Sequence, residues 1–286
     1  MKKIKSISLL LCSILILASC SSDDSNPVNP EVDPIEGWHK IQDLSTNQYS
    51  VELYSQNQKQ LQVGSNQIVA RIKAISTTDN SEITFTNWKT TMHMGTMQHG
   101  APVLNLRPFH NKPNLFEGNL MFQMASDGNE NYWELEVQFE HRGQKVVVSK
   151  KVDVFPSKHQ TIQSFKGSDN KNYVIALIAP NSPKIGINDM TTALFKMESM
   201  DNFTIVNQYK VQIDPRMPSM QNHSSPNNVH LTQSIGDLLY HGKLSLTMTG
   251  YWKINLQLLD NSGTLIKGET IDDTTLSSSL FFELEF

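Results

Sequence analysis

Cysteine is almost missing from this chain of 286 residues: the two present are Cys12 and Cys20, both close to the N-terminus. A fold that begins after them holds no disulfide, and a soft metal bound there would have to use methionine and histidine. Long apolar runs are also lacking. The one stretch of note, within "MKKIKSISLLLCSILILASC", is short, follows Lys2, Lys3 and Lys5, and ends in a small-residue segment before Cys20, as a secretion leader does. Basic residues are the minority, 24 against 28 acidic, and removal of the leader's three lysines takes the net charge from −4 to about −7. Such a balance speaks against nucleic acid as a partner. Catalytic signatures are missing too. There is no GxSxG elbow, no HExxH pair and no glycine-rich phosphate loop, so the expectation is a binding protein and not an enzyme.

What is there begins with the leader's "LASC" ending, which resembles the lipobox of bacterial lipoproteins. That resemblance implies cleavage after residue 19 and a lipid on Cys20, hence a membrane attachment by lipid alone and a place in the cell envelope, at the outer membrane. The following "SSDDSNPVNPEVDPIEG" is acidic and broken by Pro27, Pro30 and Pro34, a composition suited to an extended tether over residues 20–36.

The most unusual stretch is "TMHMGTMQHGAP", residues 91–102. Five of the eight positions from 92 to 99 are Met or His, where the composition would supply fewer than one. The stretch recurs as "DPRMPSMQNHSSP", residues 214–226, which sets Met94, Met97 and His99 against Met217, Met220 and His223. The spacing persists through the flanks. Gly64 and Asn66 meet Gly186 and Asn188; "LFEGNLMFQM" meets "LYHGKLSLTM"; Trp133 meets Trp252. The chain therefore reads as a tandem duplication, copy one over 37–156 and copy two over 160–286, joined by a short connector.

Each copy has the periodicity of strands. "QIVARIKAIS", "EITFTNWKT" and "YWELEVQFE" in the first, and "NYVIALIAP", "GKLSLTMTG" and "YWKINLQLLD" in the second, are short, rich in β-branched and aromatic residues, and mostly alternating. The expected fold is all-β, two tandem immunoglobulin-like β-sandwich domains after the leader and tether.

Thioether sulfur is a soft, neutral ligand that favours Cu(I), and imidazole accepts either copper state, so Met94, Met97, His99 and Met217, Met220, His223 are candidate copper ligands. Met92 is a further candidate in the first loop. Met124 and Met248 continue the faces Leu120–Phe122 and Leu244–Leu246 and are expected in the cores, with a second role at the sandwich edge open to them. His93 stands where copy two has Arg216, and His110, His230 and His241 do not align between copies.

Met217-Pro218-Ser219-Met220 with His223, Tyr240, Gly242, Leu244, Met248, Gly250 and Trp252 resembles the YtkA-like domain family, related to the FixH group. Copy one is similar through Met94, Met97, His99, Phe116, Gly118, Leu120, Met124 and Trp133, with Gly95 in place of the proline and an insertion before the Trp. The resemblance implies small envelope β-sandwiches that handle copper or assist oxidase assembly, with a copper donor or acceptor protein as partner. A surface adhesion or assembly module, in which the Met and His residues only pack, is the competing expectation.

Overall fold

The computed structural model describes residues 32–76 and 82–286, so the leader, Cys20 and most of the proposed tether lie outside the described residues. The first half is built from β1 (His39–Asp43), β2 (Tyr49–Ser55), β3 (Gly64–Ala74), β4 (Ile83–Met94), β5 (Met97–Gly100), β6 (Val103–Pro108), β7 (Leu115–Phe122), β8 (Asn131–His141) and β9 (Gln144–Val152). The second contains β10 (Ile162–Lys166), β11 (Asn172–Ala179), β12 (Gly186–Met197), β13 (Phe203–Ile205), β14 (Lys210–Met217), β15 (His223–Ser224), β16 (Val229–Thr232), β17 (Tyr240–Leu246), β18 (Tyr251–Leu259), β19 (Leu265–Lys267) and β20 (Phe281–Glu285). The fold is all-β.

Strand order shows the repetition. One sheet of the first half runs β1-β2-β3-β7-β6 and the facing one β5-β4-β8-β9. In the second half β10-β11-β12-β17-β16 continues through β14 into β18, with β15 on β14 and β20 on β18. Alternation decides which face goes inward: along β8, Trp133, Leu135, Val137 and Phe139 are all fully buried while the residues between them are half-buried. Each half closes over its own core, centred on Trp88 and Trp133 in one and on Trp252 and Phe282 in the other.

One device occurs twice. Asn66, buried in β3, takes the Gln62 N–H on its Oδ1 at 2.9 Å and donates its amide to the carbonyls of Gln62, Gly64 and Leu120. Asn188 makes the same bonds with Lys184, Gly186 and Leu244. Both clamps hold a chain that enters the strand through a glycine at positive φ, Gly64 at 109° and Gly186 at 103°. Trp133 and Trp252 each donate their indole N–H to a methionine carbonyl, Met124 and Met248, both at 3.0 Å.

The halves are not separate beads, since residues 35–286 form one compact unit. A shared apolar cluster joins Leu104 and Met121 of the first half to Val174, Ala176, Ala193 and Phe195 of the second. The connector is stitched in as well: Phe155 exchanges backbone bonds with Leu61 and Val63, both at 2.9 Å. A short connector read alone suggests relative motion; the shared cluster removes that freedom. The pattern reading also passed over β20, "FFELE", whose alternation buries Phe282 and Leu284 against β18.

Candidate metal centre

Gly95 and Thr96 form the two-residue turn between β4 and β5, with Gly95 at φ 58° as the tightest hairpins require. The register pairs Met94 with Met97 and Met92 with His99. Residues two apart share a face, so Met92, Met94, Met97 and His99 all lie on one side of the hairpin. His93 and Gln98 lie on the other. There His93 stacks on Tyr132 at 4.6 Å and places its Nε2 3.0 Å from Glu134, while Gln98 meets its Nδ1 at 3.0 Å, so both ring nitrogens are engaged. Hydrogen bonds from Ser149 and then from His93 hold the Glu134 carboxyl below the usual carboxylate range.

The shared face is graded from core to solvent. Met92 is fully buried, paired across β8 with Trp133. Met94 is half-buried against the core, and Met97 is 61% exposed. Between them His99 is half-buried, edge-on to the Trp133 ring at 5.4 Å. Its Nδ1 lies 2.8 Å from the Gly100 carbonyl. A carbonyl only accepts, so Nδ1 donates, and in the neutral ring Nε2 carries a lone pair. That Nε2 lies 3.4 Å from the sulfur of Met124.

Two lone-pair atoms therefore face each other at the sandwich edge. Ligands about 2.0 Å (nitrogen) and 2.3 Å (sulfur) from a common tetrahedral centre stand this far apart, so the pair fits a soft cation. The Nδ1 bond to a backbone carbonyl is also how metal-binding histidines are oriented. Met124, expected in the core on its alternation, is 38% exposed because the strand ends at Phe122 and the chain turns outward. Trp133 fixes both partners, His99 through its ring and Met124 through its N–H.

The second half repeats the plan with a looser hairpin. Pro218–Met220 forms a 3-10 turn, followed by Gln221 and Asn222 at positive φ. Here Met217, buried, pairs with His223. The residue of the first half that stands in this place is Met92, not the Met94 of the sequence alignment, because the two turns differ in length and each register is counted from its histidine. Met217 packs where a Cβ on Gly250 would sit, 3.1 Å from its methyl. Met248 is half-buried, Met220 is 52% exposed, and His223 is exposed. The same residue types gather at the same end, without the close nitrogen–sulfur approach of the first half. Among the described residues no three His, Cys, Asp or Glu side chains gather as a cation site.

One contact was illegible in the sequence. The turn after β12 reaches from the second half to the outer edge of β5, where the Gly100 N–H donates to the Met200 carbonyl at 2.7 Å. A Cβ on Gly100 would come within 3.1 Å of the Asp201 backbone. The strand that carries His99 is thus clasped by the other half. On a free edge a proline is tolerated. Gly100→Pro is instead expected to cost about 1–2 kcal/mol through the lost bond and to disturb the His99 ring environment, read by histidine side-chain NMR. Lys89→Ala, which removes an exposed pair with Asp201, should change little. Unchanged stability and an unchanged His99 spectrum in Gly100→Pro would show that the clasp positions nothing.

No family model and no curated protein matches the chain. Among solved structures it is similar to the crystal structure of a DUF4785 family protein from Legionella pneumophila, at 11% identity and a TM-score of 0.25, over 77% of this chain and 54% of that one. The chain thus spans about half the length of that protein. So slight a likeness carries no functional argument.

Proposed function

We propose that the protein is an envelope lipoprotein that binds copper as Cu(I) in its β-sandwich halves, for buffering or delivery to a partner protein. The reading rests on the His99 Nε2 set 3.4 Å from the Met124 sulfur, with the other ring nitrogen held by a backbone carbonyl. Met92, Met94 and Met97 border that pair in the first half, and Met217, Met220, His223 and Met248 supply the counterpart in the second. Copper would be held by neutral thioether and imidazole groups, which need no deprotonation to bind and form no disulfide under oxidising conditions. The lipid on Cys20, attachment to the outer membrane and the kinship with YtkA-like domains belong to the same proposal and rest on the sequence motifs quoted above. Nothing in the donor set calls for a catalytic role.

Competition for Cu(I) against a chromogenic chelator tests it. The mature chain is expected to take up two equivalents, the first more tightly than the second, because only the first half presents a preformed nitrogen–sulfur pair. A chain that removes no copper from a weak chelator would leave the Met and His residues as packing, as an adhesion module would have them.

A further inference from the structure

A cleft of about 330 Å³ lies between the halves, away from the methionine loops, at the lower end of the range for small-molecule sites. Its floor is the outer face of the first half, where Gln67 of β3 and Asn119 of β7 stand side by side as cross-strand partners. Its wall is a loop of the second half that includes Asp237 and Leu238. Asparagine is disfavoured in strands. The Asn119 side-chain oxygen is nevertheless buried beneath the cleft with no hydrogen-bond partner; a turn of the amide towards the cleft would let a ligand donate to it and relieve that cost.

The charges around the cleft are already matched. Arg107 is bonded to Glu117 at 3.0 Å, and Asp237 accepts from the Leu239 N–H at 3.0 Å and meets His241 at 2.9 Å. What remains for a ligand is amide chemistry flanked by the leucines 104 and 238. A charged ligand would find no unpaired counter-charge here. Length is limited as well. On the outer face of β7, Leu115 belongs to an apolar cap with Ile35 and Phe109, and Met121 belongs to the cluster between the halves. The polar window between these two residues is under about 20 Å long, room for no more than about six extended residues, so a long peptide does not fit.

We infer that this cleft binds a neutral sugar ring. Hydroxyls both donate and accept, as the side-by-side amides of Gln67 and Asn119 do, and the ring's C–H face suits the leucines. The site is independent of the copper reading.

Saturation-transfer NMR on the mature chain tests it with glucose, galactose and N-acetylglucosamine, each alone, beside mannitol as an acyclic polyol and trialanine as a peptide. At least one sugar is expected to bind saturably, mannitol and trialanine not at all. Asn119→Ala should weaken the sugar tenfold or more, and Gln67→Ala, at an exposed position that does not threaten folding, at least threefold. The inference is overturned if no sugar saturates, if trialanine binds instead, or if the Gln67→Ala chain binds the sugar as the wild type does.

Discussion

His99→Ala is expected to lower the Cu(I) affinity of the first half by on the order of 100-fold, and Met124→Leu by about tenfold or more, with the second half unaffected. The imidazole matters most, because it alone is oriented by a backbone bond and by the Trp133 edge before any metal arrives. Met124→Leu keeps volume and removes only the sulfur lone pairs. His223→Ala should have a smaller effect at its own site, since that ring is exposed and starts from no fixed pose. Chelator competition on the single variants separates these cases. Equal losses for His99→Ala and His223→Ala would contradict the difference in preorganisation, and no loss for Met124→Leu would remove the thioether from the site.

The largest effect on stability is expected at the repeated asparagines. Removing the side chain of Asn66 takes a hydrogen bond from the Gln62 N–H and one from each of three carbonyls, and a buried group left with no other partner costs roughly 1–3 kcal/mol. Asn66→Ala and Asn188→Ala should therefore each cost about 3 kcal/mol. The two clamps share no partner, so the double variant should lose about 6 kcal/mol, comparable with the whole stability of many domains. Denaturant unfolding measures this directly. Because the halves share an apolar cluster, one transition is expected for wild type and single variants alike. A loss below about 0.5 kcal/mol in either single variant would show the clamp to be dispensable.

Much of this was legible in the residues. Alternation marked β3, β8 and β18, and the duplication alone set Asn66 over Asn188 and Trp133 over Trp252. The Met and His loops stood out by composition. Three things did not show, each for a physical reason. Met124 obeys the alternation of β7 but lies beyond its end, and a pattern cannot tell where a strand stops bending with its sheet. The unbroken run "NYVIALIA" signals burial on both faces of β11, yet nothing in it names Leu104 and Met121 as the partners. The bond from Gly100 to Met200 joins residues one hundred positions apart through backbone atoms alone, which leave no trace in side-chain identity.

That bond also governs how the molecule meets copies of itself. β5 is an edge strand, and open edges are templates on which a second chain can add a strand. With the Gly100 N–H taken up by Met200 and the Asp201 backbone packed against the glycine, the Gly100 end of this edge is not free to pair with a strand from outside.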